Sequence, residues 1–173
     1  QCWHADDELR WIVAAISDTG CRMAEIVGLS KTDVRLDGDI PHISIRPRPW
    51  RRLKTVSSER DIPLVGSALW GITRAYQSTN SEMLFPRYND GVSTNSNSAS
   101  AALSKWLKQQ TNPDCTMHSF RHSFRDRLRA VECPIELTDA VGGWSTDGIG
   151  AAYGQGYSLQ LKQKWLSAAV LKP

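Results

Sequence analysis

The sequence predicts a mixed α+β domain that is mainly helical, with helices around a small three-stranded antiparallel sheet. Apolar residues recur three and four apart through most of the chain, which is the period of amphipathic helices. Between residues 33 and 64 the period changes to alternation, and Asp37-Gly38 supplies a hairpin turn signal. A chain of 173 residues is long enough for one domain with a substantial core.

Helices are expected wherever the apolar spacing is helical. In the first of them, Leu9, Ile12, Val13 and Ile16 share one face. Acidic residues precede this face, at the end of the helix where the dipole favours negative charge. The expected ranges are about 6–17, 21–29, 65–77, 98–110, 118–131 and 133–141, then one or two turns within 147–153 and a final helix capped by Ser158.

Strands are expected over residues 33–36, 40–45 and 57–64, and Pro47 and Pro49 end the second of them. The connection to the third strand has five cations within nine residues and no acid: Arg46, Arg48, Arg51, Arg52 and Lys54. Such a cluster is either a solvated turn or an element that contacts nucleic-acid phosphates. Trp50 and the lack of acids favour phosphate contact, through Arg48, Arg51 and Arg52.

Composition and cysteine usage argue against several classes of protein. No run reaches the roughly 18–20 apolar residues of a membrane span, and we expect no secretory leader. The four cysteines (Cys2, Cys21, Cys115, Cys133) form no C-x-x-C pair, which argues against zinc and fits reduced thiols in a cytoplasm. No Asp and Glu cluster is spaced for Mg²⁺, so we expect no metal and no cofactor. The first residue is not Met, from which we expect a fragment of a longer protein.

Side chains suited to phosphate chemistry are concentrated between Met117 and Tyr153. His118 and Arg121 are three apart on one helix, where they would flank the buried stripe and point into a cleft. That stripe would consist of Phe120, Phe124, Leu128 and Val131. Trp144 follows two glycines, and Tyr153 lies nine residues further on. A donor His, a bidentate Arg, an indole N–H and a phenol suit a phosphodiester that is to be attacked by tyrosine.

Arg22 and Glu25 form a second candidate group, three apart at the start of the second helix. An Arg in a first turn opposes the helix dipole, so local structure alone does not favour it there. The interpretation that the local sequence offers is an exposed surface pair of Arg22 and Glu25.

These segments together resemble the tyrosine recombinases, the phage-integrase family, in the correct order from Asp6 to about Leu171. Thr19–Ile26 resembles the first motif of the family, whose Arg binds the scissile phosphate, and that Arg is Arg22 here. Lys54-Thr55, followed by Ser57-Ser58, Arg60 and Ile62-Pro63-Leu64, resembles the β-hairpin motif. In that motif the Lys acts near the leaving 5′ oxygen, a role that falls to Lys54.

The second half of the resemblance lies in the His118 segment. His118–His122 resembles the second conserved box, Gly143-Trp144 stands where the family has Gly-His or less often Gly-Trp, and Tyr153 has the spacing of the nucleophile. The implied catalytic set is Arg22, Lys54, His118, Arg121, Trp144 and Tyr153, with Glu25 in support. Trp144 in place of the commoner His, and the unusual Cys21, are departures that leave the set otherwise intact.

The resemblance implies site-specific DNA cleavage and rejoining through a covalent 3′-phosphotyrosine, by a phage or prophage integrase. It implies double-stranded DNA as partner, self-association into a tetramer on DNA, and a location in the cytoplasm of a bacterial host, at the nucleoid. An accessory DNA-bending protein is left open. The resemblance covers the catalytic domain, so residues 1–173 are expected to be a single catalytic domain without the N-terminal core-binding domain of the family.

Three questions stay open at the level of the sequence: the class of activity, the nucleophile and the packing of the final helix. A type IB topoisomerase-like relaxing enzyme shares this constellation, and a DNA-binding module that has lost catalysis would retain part of it. Tyr157 competes with Tyr153 as nucleophile, although Gly154 and Gly156 make one continuous helix through both unfavourable. The final helix, with Leu161, Trp165, Leu166 and Val170, could pack on its own core or on a neighbouring subunit.

Overall fold

A computed structural model describes residues 5–55, 58–110, 114–144 and 156–171. Within these ranges lie seven α-helices: α1 (Glu8–Thr19), α2 (Met23–Val27), α3 (Gly66–Ser78), α4 (Ser96–Gln110), α5 (Met117–Ala130), α6 (Ile135–Gly142) and α7 (Leu159–Ala168). The strands are β1 (Val34–Arg35), β2 (His42–Ile45) and β3 (Arg60–Pro63), and a single 3₁₀ turn (Lys31–Asp33) precedes β1. The turns expected within 147–153 lie outside the described residues.

The sheet has the order β1-β2-β3, and both pairs of strands are antiparallel. Ile43 of β2 is opposite Val34 of β1 and Ile62 of β3, and all three side chains are buried. The predicted fold class is therefore confirmed. The strands are shorter than expected; β3 begins at Arg60, because Ser58 still belongs to a turn in which its N–H donates to the Thr55 carbonyl.

α1 is the central helix of the core and packs against α3 and α5. Asp7 caps its N-terminus by accepting from the N–H of Arg10, and Ile12, Val13 and Ile16 are buried as the spacing predicts. The helix ends at Gly20, whose φ of 63° lies in the left-handed region. A Cβ at Gly20 would lie 2.3 Å from the ring of Phe124, so this glycine also permits the close approach of α5. The end of α1 is thereby brought against α5.

α7 packs on its own chain in this structure, against β3. Ser158 caps it by accepting from the N–H of Leu161 at 3.2 Å, as expected. Leu166 is buried, and the Lys162 ammonium donates to the Asp61 carbonyl of β3 at 2.9 Å. Leu161, by contrast, is 39% exposed.

None of the helices within the described ranges combines the length and the apolar character that crossing a membrane requires.

Candidate active site

Arg22 stands at the junction between α1 and α2, where it is the N-cap residue of α2. Its guanidinium has three partners: Nη1 donates to Glu25 Oε1 at 2.8 Å and to Ser58 Oγ at 3.1 Å, and Nη2 donates to the Gly143 carbonyl at 3.2 Å. Its backbone N–H donates to the second carboxylate oxygen of Glu25 at 2.9 Å. These partners come from three separate parts of the chain, so the position of Arg22 is determined by the tertiary fold.

Glu25 is only 3% exposed, which contradicts the interpretation of Arg22–Glu25 as a surface pair. The carboxylate is buried because Arg60 of β3 approaches it from the other side, at 2.9 Å. Burial alone would raise the pKa of Glu25, but the charge and hydrogen bonds of Arg60, together with Arg22, outweigh burial and lower it. Glu25 is therefore ionised at neutral pH and supports Arg22 from inside the protein.

Arg121 lies on the buried face of α5 and is only 3% exposed, so the expectation that it flanks the buried stripe is wrong. Phe124 and Leu128 of that stripe are buried, whereas Phe120 and Val131 are only half-buried. Arg121 turns inward because the Gly20 carbonyl at the end of α1 accepts from its Nη1. Burial, followed by the charge of nearby Arg22, lowers the pKa of Arg121 to about 10.

His118 lies one turn before Arg121 on α5 and is exposed. Partial burial lowers its pKa, and the positive charges of His122, Arg121, Arg22 and Lys54 lower it further. Three residues of the expected catalytic set, Arg121, Arg22 and Lys54, are therefore close enough to repel a protonated His118. With a pKa below its ordinary value, the imidazole is mostly neutral near pH 7 and able to accept a proton.

Trp144 packs against α5, with its ring 4.3 Å from the guanidinium carbon of Arg121 and 4.9 Å from that of Arg125. The ring folds back over α6, where a Cβ on Gly142 would lie 1.8 Å from it. Such cation–π contacts hold a guanidinium over the face of an indole. Trp144 thus fixes the outer side of Arg121, a contact that differs from the expected role of the indole as an N–H donor.

Lys54 and the two tyrosines complete the expected set. Lys54 is exposed, at the edge of the described part of the hairpin connection. Tyr153 lies outside the described residues. The Tyr157 hydroxyl donates to Glu136 at 3.3 Å, and its pKa is raised by burial and by the nearby carboxylate of Glu136. A phenol with a raised pKa that already donates to a carboxylate is poorly suited to act as the nucleophile.

In the basic connection, residues 46–54, Arg51 does not have the exposed position that a phosphate contact requires. The side chain of Arg51 is fully buried, 3.2 Å from Asp33, and donates to the carbonyls of Arg46 and Gly28 at 2.8 and 3.0 Å. The prediction that Arg51 contacts phosphates is therefore wrong in this structure. The prediction considered only residues 46–54, which contain no acid. The acidic partner is Asp33, which lies earlier in the chain and also accepts from Arg48 Nε at 3.0 Å. Arg52 is exposed, and the side chain of Arg48 is one-third exposed.

Replacing Arg51 with alanine is accordingly expected to destabilise the protein, by about 3 kcal/mol, because the buried Asp33 loses its buried partner. The matched variant Arg52→Ala, at an exposed position, should change the free energy of unfolding by less than about 0.5 kcal/mol. Urea denaturation of both variants measures the difference. A stable Arg51→Ala protein that binds DNA weakly would restore the phosphate-contact interpretation.

Arg60 and Ser58 belong to the segment that resembles the β-hairpin motif, but the sequence assigns them no role in the site, although each contacts a member of the expected set. The signal in the sequence was weak: Arg60 belongs to the Arg60-Asp61-Ile62 alternation, in which an arginine shares the inward face with an isoleucine. An inward arginine needs a buried carboxylate. That carboxylate, Glu25, lies 35 residues earlier in the chain.

The side chains of Arg22, His118 and Arg121, here called the cation cluster, lie near one another: the charges of Arg22 and Arg121 lower the pKa of His118, and the charge of Arg22 lowers that of Arg121. Within the described part of the chain, Arg121 has a carbonyl and an aromatic ring as partners but no carboxylate. Glu25 is shared between Arg22 and Arg60. Positive charge therefore exceeds negative charge around the described side chains of this cluster, a balance that favours the binding of an anion such as a phosphate. Within the described ranges, no three His, Cys, Asp or Glu residues are grouped so that they could hold a metal ion.

Comparison with known proteins identifies the family of this chain. The model of the phage integrase family matches residues 4–157, and the chain belongs to that family. The tyrosine-recombinase type of DNA breaking and joining is the chemistry that this membership indicates, with DNA as the substrate class. Searches of curated proteins and of solved structures found no significant match.

Proposed function

We propose that this protein is a site-specific DNA recombinase of the integrase type, in which Tyr153 forms a covalent 3′-phosphotyrosine. The observation that carries the proposal is the cation cluster, where Arg22 and Arg121, about 100 residues apart in the chain, lie close enough for the charge of Arg22 to lower the pKa of Arg121, and Arg121 forms no direct ion pair among the described residues. A phosphodiester in transesterification develops negative charge on its non-bridging oxygens. Two guanidiniums with fixed forks of donors stabilise that charge.

In the proposed reaction, the phenol oxygen of Tyr153 forms a bond to phosphorus while the bond from phosphorus to the 5′ oxygen breaks. His118, whose lowered pKa leaves it mostly neutral near pH 7, accepts the phenol proton during the attack. Lys54 gives a proton to the departing 5′ oxygen. The phosphotyrosine conserves the energy of the phosphodiester, so the 5′ hydroxyl of a second strand can reverse the step and join a new pair of ends.

The same proposal includes assembly of four copies on double-stranded DNA, since exchange between two duplexes requires four cleavage events. Arg48 and Arg52 of the basic connection, which retain solvent-exposed surface, are the proposed backbone-phosphate contacts. Glu25 is the proposed support of Arg22, through the contacts described above.

Suicide DNA substrates test the proposal, because a nick beside the scissile phosphate lets the 5′ end diffuse away and traps the adduct. The expected result is a covalent protein–DNA species resistant to denaturation, and exchanged strands when two intact duplexes are supplied. Adduct without exchange would favour a relaxing enzyme of the type IB topoisomerase kind. Binding without any adduct would identify a DNA-binding module and reject the proposal.

Cleavage is expected to proceed at an unchanged rate in excess EDTA, because guanidiniums supply the charge that bound metal ions supply in many other nucleases. The measurement is the rate of adduct formation with and without chelator, on protein purified in chelator from the start. A rate that vanishes in EDTA and returns with Mg²⁺ would contradict the assignment of Arg22 and Arg121.

Lys54→Ala is expected to slow cleavage while leaving DNA binding nearly intact, because its proton is needed only when the 5′ oxygen departs. Arg52→Ala should instead weaken binding to all sequences alike and reduce the salt dependence by about one unit of slope. Salt titrations of affinity and single-turnover cleavage rates separate the two effects. Should the Lys54 variant lose only affinity, the acid is another group.

A further inference from the structure

Arg60 has the most extensive side-chain hydrogen bonding around the cation cluster, although it lies behind that cluster and only 6% of it is exposed. Its Nε donates to the Val141 carbonyl at 2.7 Å, and Nη1 donates to the Ser58 carbonyl at 2.6 Å. Nη2 donates to Glu25 Oε2 at 2.9 Å and to the Cys21 thiol sulfur at 3.4 Å. One guanidinium thus joins β3, the end of α6 and both sides of the Arg22 position.

Three residues accept hydrogen bonds from the Arg22 guanidinium, and each of them is also in contact with Arg60. Glu25 accepts from both guanidiniums, and Ser58 offers its hydroxyl to Arg22 and its carbonyl to Arg60. Gly143, whose carbonyl accepts from Arg22, lies directly against Arg60: a Cβ added there would be 2.7 Å from Arg60 Nη1. A displacement of Arg60 would therefore move all the groups that orient Arg22.

Arg60 also competes with Arg22 for the negative charge of Glu25. Glu25 has one negative charge and two arginine partners, and its contacts with Arg60 involve both carboxylate oxygens. Without Arg60, that carboxylate would be free to pair with Arg22 alone. Arg22 would then be neutralised by an internal partner, and its attraction for an external phosphate would fall.

We propose that Arg60 is a positioning residue for strand transfer, which acts through Glu25, Ser58 and Gly143 to orient Arg22 and to leave its charge available to the scissile phosphate. The inference rests on the proposed function, since it concerns the same phosphate site. Arg60 itself is enclosed by protein groups and does not touch the substrate.

The test is a double-mutant cycle on single-turnover cleavage with saturating suicide substrate. Arg60→Lys keeps the charge but cannot reach Glu25, Ser58 and Val141 together, because an ammonium lacks the guanidinium fork. It is expected to slow cleavage by roughly 10- to 100-fold, with DNA affinity within about threefold of the unmodified protein. In an Arg22→Ala background, Arg60→Lys should cause no further loss of rate, since it acts through Arg22.

Arg127→Lys is the matched control, because Arg127 is also largely buried, paired with the buried Asp18 and hydrogen-bonded to the Ala169 carbonyl, and these partners are not those of Arg22. It should lower the melting temperature while leaving the cleavage rate per folded molecule unchanged. If Arg60→Lys loses rate only in proportion to folded protein, or loses as much rate in the Arg22→Ala background as alone, Arg60 is merely structural and the inference is overturned.

If Arg60→Lys does not fold, side-chain NMR of the unmodified protein decides the question. Ordered guanidiniums of both Arg22 and Arg60 before DNA is added would support pre-positioning, whereas a mobile Arg22 beside an ordered Arg60 would overturn it. Failure of the proposed function is visible separately, as the absence of any adduct from the unmodified protein.

Discussion

Tyr153→Phe is expected to abolish the covalent protein–DNA adduct completely, while DNA affinity stays within a few-fold of the unmodified protein. Loss of one hydroxyl removes the proposed nucleophile and leaves the side chains of the cation cluster and the basic connection in place. Denaturing electrophoresis of suicide-substrate reactions measures the adduct, and a filter or mobility-shift titration measures affinity.

Tyr157→Phe is the matched control for that experiment and should keep the adduct. Tyr157 lies only four residues further on, but its hydroxyl is engaged with Glu136 and its pKa is raised by burial and by that carboxylate. Peptide mapping of the adduct from the unmodified protein identifies the modified side chain directly. A nucleotide attached to Tyr157 and absent from Tyr153 would reverse the assignment, and with it the argument from the Trp144-to-Tyr153 spacing.

Arg22→Ala and Arg121→Ala are each expected to reduce the cleavage rate by on the order of 10²–10³, the usual cost of removing one donor to a developing oxyanion. Lysine at either position should restore only part of the rate, because a single ammonium cannot present two parallel donors. Single-turnover kinetics on saturating DNA measure the chemical step without the contribution of affinity.

Arg129→Ala supplies the control on the same helix, because Arg129 pairs with Asp126 on the exposed face of α5. Its rate should stay within about twofold, as is usual for surface substitutions away from a site. Equal losses from Arg129→Ala and Arg121→Ala would indicate general damage to α5 rather than loss of a phosphate contact. Circular dichroism melts of the same variants correct the rates for any change in folded fraction.

The spacing of apolar residues predicted the architecture, because most core residues belong to helices or strands whose buried face can be recognised from neighbouring residues in the sequence. The α1 face of Ile12, Val13 and Ile16 is buried as expected, and the change of period at residue 33 marks the sheet. Boundaries moved by a few residues where capping decided them: α1 extends from Glu8 to Thr19, between the Asp7 cap and Gly20. Such shifts do not alter which face is buried.

The roles of the charged residues were harder to predict, because the groups that an arginine contacts in the fold can be distant from it in the sequence. The window around Arg51 contained no acid, yet Asp33 reaches it across the hairpin. Glu25 was expected at the surface or in support of Arg22, and only the fold shows that Arg60 buries it. Motif spacing identified Arg22, His118 and Arg121 as a group, but the inward rotation of Arg121 depends on the Gly20 carbonyl, 101 residues away.

The contact between Gly142 and Trp144 makes the residues that these two positions can hold depend on each other. Any side chain at residue 142 would have a Cβ 1.8 Å from the present indole ring, so it would displace the ring from Arg121. Alanine at 142 therefore requires the indole to leave its present rotamer, and with it the face-on contact with Arg121. The two positions are thus coupled: whether a side chain is tolerated at 142 depends on which ring stands at 144.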